Sequence, residues 1–446
     1  LYFMSLHTLL ENISFVFKIY AGLSAFSVLW FTYSYNVYIK RSPNKLKNIN
    51  QSKFSFCERL DHENISLLYS VLGSILYCPL RIFVLCLTTI VVITILLALK
   101  LIGSIFPWMN EAHLYNYIHI LIVKFVGFFT LRLLGVLEVD HFVLEKNGID
   151  DSGKIKYSYQ KSDGLPAIDD IVTIVSNHIS ILDISFFMRY VSCGFVAQKE
   201  IRENYIFGTV ADIIGCIYVD RSCMETRSKA KHLIQDRQLR RFELVQSRAS
   251  ETIICSEKAK DSKCLLFRSE INKHLNSLEK TPLVIFPEGT TTNGSSIIPF
   301  KLGAFESLTP VTPVVLLYKY SAFSPAFDII PFWVLICLLF CNYGKITLSA
   351  YWLPQMHAIE LNNKEISTKE FADRVRKLMI EVLREAEEFK SEGYLWVSQK
   401  KNSHIDTKKN FRKRFEISTS KNLDSSNLTT TGSLRLKQEY IRMLNN

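Results

Sequence analysis

The chain has 446 residues, 48% of them hydrophobic, with ten cysteines and a net charge of +11. Its length supports one large domain or two ordinary ones, and cysteines without any Cys-x-x-Cys pair, several of them in apolar runs, argue against a disulfide-stapled scaffold and for reduced thiols facing the cytosol. The charge calls for an anionic partner, but residues 400–446 hold 11 Lys+Arg against 4 Asp+Glu, so 7 of the 11 net charges lie in one Ser/Thr/Asn-rich tail. With only Phe411, Phe415 and Tyr440 interleaved there, the pattern disfavours nucleic acid and fits a lipid-facing or disordered end.

Two apolar regions open the chain. Residues 19–39 carry no charge, lie between Lys18 and Lys40, and are long enough to span a bilayer. Lys40, Arg41, Lys45, Lys47, Lys53 and Arg59 follow, which by the positive-inside rule places that loop in the cytosol. Residues 65–99 form the second region, interrupted at Pro79-Leu80-Arg81. A bend at Pro79 would make it a re-entrant hairpin that returns the chain to the cytosolic side. If residues 82–99 cross alone, everything downstream becomes lumenal.

From residue 136 the texture changes. Apolar, β-rich runs at 136–144, 171–176, 213–219, 283–286, 314–318 and 346–352 alternate with helical patterns at 181–190, 200–213, 264–278 and 368–389. This alternation predicts an α/β domain, a central mostly parallel sheet flanked by helices. The organisation read from it is N-terminal membrane-associated helices over 4–110, an α/β domain over 111–399 and a basic, disordered tail over 400–446. Within the α/β domain, 222–281 reads as a charged surface insertion with some helix, and the apolar run 329–344 reads equally as core or as a membrane-interface segment. His113, His119 and His141 stand apart from any cluster of metal ligands and read as interfacial or loop residues.

The chemistry concentrates where strands end. Ser176-Asn177-His178-Ile179-Ser180-Ile181-Leu182-Asp183 begins as an apolar strand gives way to a helix, where α/β enzymes place their sites. An imidazole can take a proton from an alcohol near neutral pH, and a carboxylate on its other nitrogen fixes the tautomer and steadies the imidazolium. A spacing of five inside one helix would part the two side chains, so they pair only if His178 sits in the turn before the helix. No conspicuous Ser or Cys nucleophile stands beside the pair, which makes direct attack by a substrate hydroxyl the simpler chemistry. A second constellation, Phe286-Pro287-Glu288-Gly289-Thr290-Thr291-Thr292-Asn293-Gly294, also follows a strand, and its small residues let backbone N–H groups approach an anion. Glu288 reads as an acceptor for a glycerol hydroxyl or as an orienter of a cation, the cations within motif reach being Lys301 and Arg221. Arg221 reads as a phosphate ligand or as a surface partner of Asp220.

Taken together, Asn177-His178 with Asp183, residues 215–221, Phe286 to Gly289 and Val311-Thr312-Pro313-Val314 resemble the four ordered motifs of the glycerolipid acyltransferases. The Thr-Thr-Thr-Asn-Gly run with Phe300-Lys301 is similar to the lysophosphatidylcholine and lysophosphatidylethanolamine branch. The resemblance implies His178 as base and Asp183 as its partner, with Asn177, Arg221, Glu288, Gly289, Thr290 and Lys301 binding substrate and residues 311–314 shaping the apolar side. It further implies acyl-CoA as co-substrate, a lysophospholipid acceptor, no bound cofactor or metal, a membrane setting in the endoplasmic reticulum, and a catalytic domain facing the cytosol. The spacing between second and third motifs is wider than usual, and no Asp-x-Asp-x-Asp-Gly calcium loop follows the domain.

Overall fold

The computed structural model describes residues 2–40, 56–59, 61, 65–106, 113–149, 155–162, 165–203, 208, 210–212, 214–220, 224–256, 281–358 and 366–398. The tail over 400–446 and the helical pattern at 264–278 lie outside them.

Helix α1 (Tyr2–Ser34) runs into a π-helical turn at Tyr35–Ile39. Helices α2 (Leu67–Leu76) and α3 (Cys78–Ile105) follow, then α4 (His113–Leu133). Of the two arrangements open for the second apolar region, no reversal forms at Pro79. Tyr77 is right-handed helical, its N–H donates to Gly73 O at 2.9 Å, and Arg81 N–H donates to Tyr77 O at 2.9 Å. A proline cannot donate to the carbonyl one turn back. That carbonyl, Ile75 O, accepts instead from the Tyr20 hydroxyl at 2.9 Å and the Ser24 hydroxyl at 3.2 Å, so α1 satisfies the interruption in its neighbour. Residues 11–39 and 67–105 are long and apolar enough to cross a membrane, and their side chains stand largely uncovered.

Among the described residues eight strands form one sheet: β1 (Val136–Ile149), β2 (Ile155–Ser162), β3 (Thr173–Ser176), β4 (Gly194–Gln198), β5 (Ile217–Val219), β6 (Leu283–Ile285), β7 (Val311–Tyr320) and β8 (Ile346–Trp352), in the order β2-β1-β8-β7-β3-β6-β4-β5. Only β1/β2 and β7/β8 pair antiparallel; the other neighbours are parallel, as the apolar runs required. Strands β2 and β4 were not foreseen.

Helices cover both faces, and a short helix α6 (Lys199–Glu203) follows β4. On one lie α4, α5 (Leu182–Tyr190) and α8 (Phe332–Phe340), in a core that includes Phe186, Phe187, Leu335 and Trp352. The apolar run at 329–344 is therefore core at α8, whose residues Val334, Leu335 and Cys337 are fully buried, though Phe332 and Trp333 stay exposed beside α1. Helix α4 buries Val123, Gly127 and Leu131, one face at a spacing of four, against α5. A methyl group on Gly127 would fall 2.6 Å from Arg189 N and 2.7 Å from Ser185 O, so only glycine permits that approach. The opposite face packs α7 (Met224–Ser256) and α9 (Thr368–Ser398) over Val175, Leu283 and Val315.

Helix α7 corrects the reading of 222–281 as a surface insertion. Its described part is the connection from β5 to β6 and is docked on the sheet. Gln238, 1% exposed, donates to Ala304 O at 2.9 Å and to the Thr173 hydroxyl at 3.1 Å, while Arg241 donates to Ile171 O and Asp169 O. His141 is likewise no loop residue: it sits in β1, buried against Phe186 and Tyr190, accepting from Trp352 Nε1.

Candidate functional site

The site forms at the carboxyl ends of β3 and β6, neighbours in the sheet. β3 ends at Ser176 and α5 begins at Leu182, so His178 lies in the connecting turn and Asp183 in the first helical turn. The two side chains meet, His178 Nδ1 to Asp183 Oδ2, at 2.9 Å. The same Oδ2 accepts from Ile179 N at 2.7 Å and Ser180 N at 2.9 Å, which curls the turn around the carboxylate. Asp183 is fully buried in the first turn of α5. Oδ1 accepts from the hydroxyl of Tyr318, on β7, at 2.7 Å.

His178 is 18% exposed at its side chain, and Nε2 has no hydrogen-bond partner among the described residues. The ring lies flat on Phe286, with centroids 4.1 Å apart and planes 15° from parallel; Phe195 and Phe187 continue the aromatic wall. With Nδ1 held by a carboxylate, the outward nitrogen is the one able to accept a proton.

Glu288 does not take the role expected of it. It is 1% exposed, and both carboxylate oxygens serve the backbone: Oε1 accepts from His178 N at 2.8 Å and Oε2 from Ile298 N at 3.2 Å. Burial pushes its carboxyl up to about 8, against those two amide bonds and the Arg376 charge, which pull it down. Thr292 N donates to His178 O at 2.9 Å, so the loop after β6 holds the His178 turn by both its N–H and its carbonyl. Asn177 is also turned inward. Its side chain donates to Leu316 O at 2.9 Å and accepts from Leu316 N at 2.8 Å, joining the turn to β7 instead of facing a substrate.

Gly289 adopts φ +67°, and the Lys301 side chain lies where a Cβ would be. Gly289, Thr290 and Lys301 are each half-buried at one edge of the site. Thr291 donates to Phe327 O, and Asn293 donates through its backbone to Phe56 O at 2.8 Å and through its side chain to Glu58 O at 2.8 Å, so this part of the loop is a fastening. Residues 311–314 run inside the sheet beside β3 and are buried, and the same strand carries Leu316 and Tyr318 to the His178 turn. Arg221 lies outside the described residues. β5, which leads to it, is three strands from β3, or about 14 Å at the usual strand spacing.

Sequence reasoning missed a further layer. Arg59, between α1 and α2, is buried with Asp61 at 2.6 Å and Asp328 at 3.3 Å and donates to Ser324 O at 3.1 Å. The segment it grips returns to the His178 turn, with Phe327 N donating to Ile179 O at 2.8 Å and the Ser180 hydroxyl to Pro325 O at 2.6 Å. From the far face Arg376 on α9 donates to Ile297 O and Ile298 O, beside Glu288. Nothing local in the sequence marks these partners; only the bare charges in apolar surroundings, such as Asp328 before Ile329-Ile330, hint at pairing.

The family model for Acyltransferase matches residues 158–317. The lysophospholipid acyltransferase LPEAT1 of Arabidopsis thaliana is 31% identical over 210 residues, 46% of this chain and 43% of that protein. Lysophosphatidylcholine acyltransferase 2 of Homo sapiens is 32% identical over 139 residues, 30% of this chain and 25% of that protein. The chain thus spans less than half the length of these curated relatives. The crystal structure of the 1-acyl-sn-glycerophosphate (LPA) acyltransferase PlsC from Thermotoga maritima aligns over 69% of this chain and 98% of its own, at 13% identity and TM-score 0.36, a likeness too slight to assign any role. His178 and Asp183 lie inside the residues that match the Acyltransferase model, and the chain resembles the lysophospholipid acyltransferases.

Proposed function

We propose that this protein transfers a fatty acyl group from acyl-CoA to the free hydroxyl of a lysophospholipid, with lysophosphatidylcholine or lysophosphatidylethanolamine as acceptor. One observation carries the reading: a buried carboxylate holds His178 by Nδ1 and leaves Nε2 open at the edge of an aromatic wall. In the reaction Nε2 takes the hydroxyl proton as the oxygen attacks the thioester carbonyl. The C–O bond forms, the C–S bond breaks, and the thiolate leaves readily because a thiol is far more acidic than an alcohol. The imidazolium formed is steadied by Asp183 and returns its proton to the thiolate or to water. No bound cofactor or metal enters these steps. Thr290, Lys301 and Arg221 are the groups we assign to the acceptor's headgroup. Asn177 and Glu288 we assign to holding the turn.

The setting we propose is the endoplasmic reticulum membrane with the α/β domain on the cytosolic side. Two features support it: the basic loop after residue 39, and the rows of exposed apolar side chains on α1, α2 and α3, among them Phe15, Phe26, Leu72, Phe83 and Ile90.

The test is thiol release from acyl-CoA by purified protein in detergent with lysophosphatidylcholine, lysophosphatidylethanolamine, lysophosphatidic acid and glycerol-3-phosphate. His178→Ala and Asp183→Asn are run beside the wild type. Acceptor-dependent release is expected, abolished in the first variant and reduced at least about 100-fold in the second, with little change in KM. Preference for lysophosphatidic acid or glycerol-3-phosphate would move the acceptor assignment. Release unchanged by His178→Ala would remove the base, and no release at all would leave a lipid-binding scaffold.

A further inference from the structure

Asp183 is held by more than the turn it belongs to. Its Oδ2 accepts the imidazole and two backbone amides, whereas Oδ1 has a single described donor, the Tyr318 hydroxyl at 2.7 Å. That hydroxyl reaches across from β7, 135 residues on, and Tyr318 lies one residue past the end of the family match. The ring is 8% exposed. Its backbone is fixed in register with Leu348 of β8, and two residues earlier Asn177 bonds to both backbone groups of Leu316. The hydroxyl is thus aimed by the same strand that holds the catalytic turn.

We propose that Tyr318 is a positioning residue that sets the basicity of His178 through Asp183. The proposal rests on the acyl-transfer reading of the site. A hydrogen bond donated to a carboxylate disperses its charge, leaving less to stabilise an imidazolium on the other oxygen. With the hydroxyl in place, His178 releases its proton at a lower pH and stands as free base over a wider range. Burial and the Asp183 charge both push the Tyr318 phenol well up from its ordinary value, so it remains a donor across the working range.

Among the described residues, the charged groups around His178 are Asp183 on α5, Glu288 from the loop after β6 and, behind Glu288, Arg376 on α9, with Lys301 packed beside Gly289. Glu288 meets the His178 backbone and not its ring, so its ionisation acts on placement more than on the ring's charge.

The experiment compares wild type, Tyr318→Phe and a protein carrying 3-fluorotyrosine at 318. Phenylalanine removes only the hydroxyl. Fluorotyrosine keeps it and makes it a stronger donor. The acid limb of kcat/KM against pH should move up by about half a unit or more in Tyr318→Phe and down in the fluorinated protein. KM for both substrates should hold within about twofold while kcat falls. The His178 ring is also titrated by nuclear magnetic resonance in 13C-histidine protein, its signal assigned with His178→Ala, so the ring's pKa is read without any turnover. Opposite shifts in the two variants support the proposal, even if no acceptor is turned over and the acyl-transfer reading falls. A ring pKa that stays put in both, with activity intact, overturns it. Should Tyr318→Phe fail to fold, the fluorinated protein decides alone: a downward shift supports, no shift overturns.

Discussion

At the scale of single residues the charge of Glu288 has consequences for pH. A carboxyl that titrates near 8 when folded and near 4.5 when unfolded holds its proton in the native state while the unfolded chain has lost it. Between those values the unfolded state binds fewer protons, so stability falls as pH rises. The contribution is complete below about pH 4.5 and is lost as pH passes 8. Glu288→Gln removes that titration. It also sets an amide NH2 against one of two backbone donors, so a lower melting temperature near pH 5 is expected together with a flatter decline toward pH 8. Thermal unfolding in detergent at four or five pH values checks this; parallel curves for the two proteins would show that Glu288 is ionised throughout.

The same residue marks where motif reading stops. The pair His178 and Asp183 was legible because its geometry is local: one turn, a helix start, and a spacing that can close only there. Asn177 and Glu288 were found but given the wrong task, since a motif shows that a polar group follows a strand without showing which way it turns. Both turn inward, onto Leu316 and onto the His178 and Ile298 backbones. Tyr318 was out of reach because its partner is distant in sequence and it reads as one more aromatic in an apolar strand.

Among elements, the segment between α1 and α2 does more than link helices. Arg59 shares one guanidinium between two fully buried carboxylates and closes a path through Ser324, Pro325 and Phe327 to the catalytic turn. Removing one partner of a buried pair strands the other charge. Arg59→Ala is therefore expected to cost about 3–5 kcal/mol in urea unfolding. Arg240→Ala breaks an exposed pair with Asp236 one helical turn away and should cost about 0.5 kcal/mol. Equal losses in the two variants would mean the 56–61 segment is not part of the folded unit.

Element boundaries were legible where the apolar run was clean, as in β6 and β8, whereas β7 starts three residues before and ends two residues after its apolar run at 314–318. Helix α7 was misjudged for a physical reason: the face it buries includes Ala230, Ile234, Arg237, Gln238, Arg241 and Leu244. Those positions recur at helical spacing, but half of them are polar, hydrogen-bonding to carbonyls of loops and turns around the sheet, so a hydrophobic count cannot see the stripe. β2 is an edge strand rich in Lys, Ser and Tyr, and β4 is five residues long and opens with glycine, so neither gives a strong strand signal.

For the molecule as a whole, the packing of 56–61 on the catalytic loop fixes a topological relation. Asn293 bonds to Phe56 O and Glu58 O, so this segment and the site must share one side of any membrane the helices enter. From there α2 and α3 lead away over residues 67–105, about 58 Å at 1.5 Å per residue, more than a bilayer core is thick. α4 then brings the chain back, ending against α5 at Gly127. The return of the chain through α4 thus does what a bend at Pro79 would have done, and the setting proposed above, with the basic loop after residue 39 on the cytosolic side, assigns the shared side to the cytosol. The check is a protease-cleavage sequence placed at exposed Lys40 in one protein and at exposed Lys369 in another, each in sealed microsomes. Cleavage from outside is expected at both. Cleavage at one site with protection at the other would mean that the chain crosses between them, and the contacts of Asn293 with the 56–61 segment could not exist in the membrane.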